Sequence, residues 1–143
     1  MLSNYQMKKI KFLVIDDDAL CLLIANKSLR KFLPSNLPYQ MEVISNPMEG
    51  LKIIQRHIEN NISSEILVLL LDISMPVLDG WAVLEKLDKL DPEQNIQVYM
   101  HSSSISDIDI KHSKSYPRVR DFIPKPLNED KVNSLYANLM KSF

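Results

Sequence analysis

The sequence predicts an α/β domain in which five parallel strands are covered on both faces by helices. Three observations carry that prediction. Short apolar runs recur five times, each followed by a stretch with helical periodicity, and such alternation builds a parallel sheet. Two of the runs, IKFLVI at residues 10–15 and ILVLLL at residues 66–71, are apolar almost throughout, as strands buried on both faces must be. The 143 residues suffice for one domain with a single core.

In chain order, residues 10–15 form the first strand. Residues 19–33 carry apolar side chains around most of a helix, with Arg30 and Lys31 in its last turn and Pro34 as a stop. Residues 39–44 (YQMEVI) begin by alternating apolar and polar, which predicts a half-exposed strand. Residues 47 to about 58 are helical, with Leu51, Ile54 and Ile58 on one face. The third strand is residues 66–71. Residues 80–90 form a helix with Val83, Leu84, Leu87 and Leu90 inward. Residues 96–101 (IQVYMH) alternate again, and residues 105 to about 114 form a weak, polar helix. Residues 119–123 are a short strand. Residues 128–140 form an amphipathic helix burying Val132, Leu135, Tyr136, Leu139 and Met140, with Asn128 as N-cap. Polar residues within the second and fifth strands place these at the edges. The expected architecture is a flavodoxin-like, doubly wound (βα)5 sheet of order 2-1-3-4-5. Its functional site lies beyond the carboxyl ends of strands one and three.

Composition narrows the function. A net charge of −1 gives no field that would draw nucleic acid or an anionic membrane. The single cysteine, Cys21, allows no internal disulfide, which fits a cytoplasmic protein. The start, MLSNYQMKKIKFLVIDDD, is no signal peptide, because its apolar run is short and ends in three acids. The apolar run at residues 66–71 is too short to span a bilayer. Asn61-Ile62-Ser63 matches a glycosylation acceptor by chance in such a chain.

The predicted strand ends collect chemistry. Asp16, Asp17 and Asp18 follow strand one, and Asp72 follows strand three. Ser102, Ser103 and Ser104 follow strand four. Lys125 follows strand five within IPKP. Converging carboxylates stay ionised only with a cation between them. Oxygen donors without Cys or His predict a hard ion, Mg²⁺ or alternatively Mn²⁺. Such an ion beside a hydroxyl and a lysine is an environment for phosphoryl transfer, with Asp72 as nucleophile. Met75-Pro76 and Asp79-Gly80 shape a tight loop that leaves Asp72 accessible.

These stretches resemble the receiver domain of response regulators in two-component signalling. FLVIDDD resembles the family's opening strand and acidic pair, carried by Asp16 and Asp17. LLLDISMPVLDGW resembles the phosphoacceptor strand and loop, VYMHSS the strand ending in a switch hydroxyl, and FIPKPL the Lys-Pro element. The resemblance covers residues 9–143, with 1–8 as an N-terminal extension. It implies that Asp17 and Asp72 bind Mg²⁺ directly, Asp16 mainly through water, and Ser74 through its backbone carbonyl. It further implies that Asp72 takes a phosphoryl group from a sensor histidine kinase or a histidine phosphotransfer protein. Ser102 and Lys125 then close on the phosphate, and Phe122 acts as the aromatic switch. A cis Lys125–Pro126 peptide and a reporting surface of helix four, strand five and helix five are implied as well.

The expected protein is a stand-alone signalling phosphoacceptor rather than an enzyme. It would be cytoplasmic, monomeric or a weak phosphorylation-dependent dimer, and would act on an unidentified protein target without binding DNA. Two alternatives remain. A haloacid-dehalogenase-type phosphatase would use Asp16-Asp17-Asp18 as its DxD, but Ala19-Leu20 stands where that family has Gly-Thr. A phosphorylation-independent binding module would need no metal. The sequence departs from the receiver pattern at Ser103, where a small Ala is usual, and at Phe122, which lacks a hydroxyl; His101 stands directly before the switch serine. Ser74 and Ser104 occupy positions that tune phosphate lifetime in the family, and Ser104 with Asp107 is expected to cap helix four. His57 and His112 read as solvated, His101 as a bystander, Cys21 as a buried small hydrophobe, and Phe12, Phe32 and Trp81 as packing.

Overall fold

Strands and helices alternate five times in the computed structural model, which describes residues 9–60, 64–103 and 106–142. In order these are β1 (Lys9–Ile15), α1 (Ala19–Phe32), β2 (Tyr39–Ile44), α2 (Pro47–Asn60), β3 (Glu65–Leu71), α3 (Gly80–Leu90), β4 (Gln97–Ser102), α4 (Asp107–Ser113), β5 (Val119–Pro124) and α5 (Glu129–Met140). Residues 1–8, the Asn61-Ile62-Ser63 triplet, Ser104 and the expected start of helix four at Ile105 lie outside the described residues.

All strand pairs are parallel, and their order is β2-β1-β3-β4-β5, as the burial pattern of the sequence requires. The two apolar runs, β1 and β3, are adjacent and central. Alternation along each strand splits the core into two layers. Ile10, Phe12, Val14, Val68, Leu70 and Tyr99 pack under α1 and α5. Leu13, Ile15, Leu67, Leu69, Leu71, Val98 and Met100 pack under α2 and α3. Tyr99 keeps its hydroxyl satisfied by donating to Asn138 Oδ1 at 2.8 Å, and burial pushes the phenol up to about 12.

Helix ends follow capping chemistry. Asp18 caps α1 by accepting from the amides of Leu20 and Cys21, Asp79 caps α3 at Ala82, and Asn128 caps α5 at Lys131. Helix α4 is capped by Ser106, which accepts from Asp109. The expected Ser104–Asp107 cap rests on a residue outside those described. Leu90 also differs from expectation: it is 36% exposed, because α3 ends there and the chain turns inward at Asp91 instead.

One stripe of α3 holds the last turn of α4 and the segment after it. Trp81 stacks on His112 at 4.1 Å between ring centroids and lies 6.3 Å from Tyr116. Tyr116 donates its hydroxyl to Glu85. Next along the stripe, Arg118 meets Asp88 at 3.2 Å and Asp91 at 2.8 Å. Its guanidinium also donates to the carbonyls of Asp91, Ile96 and Leu87. Arg118 is only 2% exposed, and a buried charge of this kind is tolerated only when fully paired.

Candidate functional site

The carboxyl ends of β1, β3, β4 and β5 meet at one edge of the sheet. Backbone bonds set their mutual register. The Asp72 amide donates to Ile15 O at 3.0 Å, the Asp16 amide to Ile44 O at 3.1 Å, and the Lys125 amide to Ser102 O at 2.9 Å. Asp16 and Asp72 thus leave adjacent strands side by side, and Ser102 and Lys125 do the same one strand further on.

Asp16 is 2% and Asp72 5% exposed, whereas Asp17 points into solvent. One carboxylate oxygen from each of the three lies within 4.8 Å of the others. Lys125 Nζ reaches across to both buried acids, at 2.5 Å from Asp16 Oδ2 and 3.4 Å from Asp72 Oδ1. Asp16 Oδ1 accepts from the Asp18 amide at 2.9 Å. Burial, and secondly the charge of Asp16, raise the Asp72 carboxyl from 3.8 to about 6, with Lys125 pulling the other way. Burial alone would lower Lys125, but the hydrogen bond to Asp16 and the charges of both acids carry it above its ordinary value.

The donor set fits a hard cation. A six-coordinate ion with metal–oxygen bonds near 2.1 Å spaces its ligand oxygens roughly 3–4 Å apart, close to the spread of the three carboxylates. Asp16, Asp17 and Asp72 are the residues that would hold it. Asp18 belongs elsewhere: it is spent on capping α1, and its two backbone amides hold the carboxyl below the usual range.

The loop after β3 is shaped by one glycine and one strained residue. Gly80 donates to Ile73 O at 2.8 Å, and a Cβ there would stand 2.3 Å from the Asp72 carbonyl oxygen. No other residue type fits at that distance. Val77, at φ 71°, is bridged by a Leu78 N–H to Pro76 O bond of 2.8 Å, a strained three-residue turn. Ser74 is exposed in this loop.

Ser102 closes β4 rather than following it, and is 3% exposed. Phe122 is half-buried on β5 and lines a groove of ≈190 Å³ toward α5, with Asp121, Asp130 and Ser134. The Lys125–Pro126 peptide is cis, as expected.

Two expectations for side chains change, those for Cys21 and His57. Cys21 is half-exposed on α1 and borders the same small cavity as Lys125, because its helical position turns it to the sheet end rather than into the core; burial raises its thiol. His57 is not solvated: its Nδ1 lies 3.3 Å from Glu65 at the start of β3. His112 is exposed, as expected, with one face of its ring stacked on Trp81. Nothing in the sequence marks Arg118, since RVR beside a Pro gives no hint that its first arginine is buried. His101, read as a bystander, is 3% exposed and its Nδ1 meets Ile123 O at 2.9 Å.

Comparison with known proteins places these features in context. The family model described as "Response regulator receiver domain" matches residues 12–137. A protein-glutamate methylesterase/protein-glutamine glutaminase of Nitrosomonas europaea is 33% identical over 133 residues, covering 92% of this chain and 33% of that protein. A probable transcriptional regulator, ycf27, of Porphyridium aerugineum is 27% identical over 138 residues, covering 94% of this chain and 50% of its own. The chain therefore spans half or less of these curated relatives. Among solved structures, a two-component response regulator from Cytophaga hutchinsonii superposes with a TM-score of 0.79 at 20% identity, covering 94% of this chain and 98% of the other. At that identity the likeness speaks for the fold.

Proposed function

This chain belongs to the response regulator receiver domain family, and from that premise we propose that Asp72 accepts a phosphoryl group and thereby switches a protein-binding surface. The observation that carries the reading is the cluster itself: Asp16, Asp17 and Asp72 within 4.8 Å, with Lys125 on the two buried acids.

A deprotonated Asp72 oxygen attacks the phosphorus of a phosphohistidine on a sensor kinase or phosphotransfer protein. The P–N bond breaks, the electron pair leaves on the imidazole nitrogen, and Asp72 becomes an acyl phosphate. Mg²⁺ bound by Asp16, Asp17, Asp72 and the Ser74 carbonyl would supply charge neutralisation for the incoming phosphoryl oxygens. Lys125 exchanges part of its pairing with Asp72 for a phosphoryl oxygen, and the Ser102 hydroxyl donates to another. The added charge biases a small rearrangement at the end of β4. Phe122 turns inward and changes the groove between β5 and α5, the surface a downstream protein reads together with α4.

No helix among the described residues is long and apolar enough to cross a membrane. The reading places this domain in the cytoplasm beside its phosphodonor, as a monomer or a weak phosphorylation-dependent dimer. Incubation with Mg²⁺ and acetyl phosphate, followed by intact mass measurement, tests it. One phosphoryl adduct, absent with EDTA and absent in Asp72→Ala, is expected. A folded protein that gains no adduct from acetyl phosphate or from any phosphohistidine donor defeats it.

A further inference from the structure

Of the three histidines, only His101 is buried. It stands on β4 directly before Ser102 and pairs in register with Ile123 of β5. Its Nδ1 lies 2.9 Å from the Ile123 carbonyl oxygen. A carbonyl only accepts, so Nδ1 carries the proton and Nε2 presents a lone pair. The side chain thus adds a cross-strand bond beside the backbone bond that joins Lys125 to Ser102. The ring borders a void of ≈30 Å³ whose other walls are Cys21 and Ile24 of α1 and Lys125, Pro126 and Leu127 of the loop after β5.

We propose that His101 is a positioning residue for Lys125: anchored on the Ile123 carbonyl, its ring walls the cavity beside the lysine and sets where the ammonium meets Asp16 and Asp72. An apolar side chain would fill the same volume but leave the carbonyl without this donor and the ring position unfixed. The charges around the ring suit a neutral imidazole. Burial, Lys125 and Lys131 all oppose a proton on Nε2, against Asp16 and the bond to Ile123. A neutral ring lets the lysine keep its place, whereas a second cation there would push it away.

This role rests on the reading of Asp72 as phosphoacceptor, and its test separates the two. His101→Leu keeps volume without a donor. His101→Asn keeps an amide N–H near the position of Nδ1. With the full chain and acetyl phosphate, His101→Leu is expected to slow phosphorylation roughly 10-fold, the lower end of what outer-shell partners cost. His101→Asn is expected to return to within about 2-fold of the parent, with Mg²⁺ affinity unchanged in both variants. The Lys125 Cε–Hε resonance, recorded without any phosphodonor, moves in His101→Leu and stays in His101→Asn. A parent-like rate in His101→Leu overturns the proposal, as does slowing in both variants that tracks lost thermal stability. A ring ¹⁵N spectrum with the proton on Nε2 also overturns it. Absence of any adduct on the parent protein sinks the Asp72 reading, and the lysine resonance then decides the positioning role alone: movement confined to the Leu variant supports it, and no movement refutes it.

Discussion

Replacing Asp72 by Asn removes the charge that this fold accommodates least well. Burial and the neighbouring Asp16 hold the folded-state carboxyl at about 6, against an ordinary aspartate value of 3.8. Because the folded value lies above the unfolded one, ionising Asp72 costs stability. That cost is absent below about pH 4, grows as pH rises, and is complete above about pH 6. A shift of roughly 2 units corresponds to about 3 kcal/mol. At pH 7.5 in EDTA, Asp72→Asn should therefore be more stable than the parent by up to about 3 kcal/mol, or about 6–12 °C in Tm for a chain of this size. Urea unfolding at pH 4 and pH 7.5 measures it: the two proteins should converge at the lower pH and separate at the higher one. Mg²⁺ should narrow the gap, since binding to the folded parent adds stability that the variant largely forgoes. Equal midpoints at both pH values, or a variant less stable at pH 7.5, would refute the argument that the acidic cluster stores electrostatic cost.

Three other perturbations follow from the packing. Arg118→Met leaves Asp91 buried without its partner and should cost about 3–5 kcal/mol, while adding Asp91→Leu should recover much of it; denaturation midpoints of the single and double variants check this. Gly80→Ala forces a Cβ to 2.3 Å from the Asp72 carbonyl oxygen, so it should lose about 3 kcal/mol or more and weaken Mg²⁺ binding, seen by thermal melting and calorimetric titration. Val77 is 98% exposed at φ 71°, so its side chain contributes no packing while its backbone is strained. Val77→Asn should gain about 1 kcal/mol, read from the unfolding midpoint.

What could be read in advance, and what could not, divides along a physical line. The strands and most helices were legible because their apolar spacing is local and repeats at 2.0 or 3.6 residues. Edge and centre were legible because β1 and β3 bury both faces while β2 and β5 do not. The convergence of Asp16, Asp17, Asp72, Ser102 and Lys125 followed from topology, since each sits at the carboxyl end of a strand. Cross-chain pairs leave no such mark. Arg118 finds Asp88 and Asp91, and His57 finds Glu65, through packing of elements distant in sequence. Cys21 and His101 look ordinary in their helix and strand, and only the third dimension brings them to one cavity beside Lys125. The Ser106 cap of α4 was not legible, because the boundary of a short, weakly periodic helix is settled by a single hydrogen bond.

The stack between α3 and α4 gives this protein a property that needs no engineering. Its sole tryptophan, Trp81, is the residue against which the His112 ring lies. Indole emission depends on polarity and on nearby charge within a few ångströms, and no second indole contributes a background. The ultraviolet fluorescence of the unlabelled chain is therefore a signal from one joint, where the helix that begins behind the Asp72 loop meets the last turn of α4. Ligands, phosphodonors and partner proteins without tryptophan can be followed at that joint in real time, in the wild-type molecule.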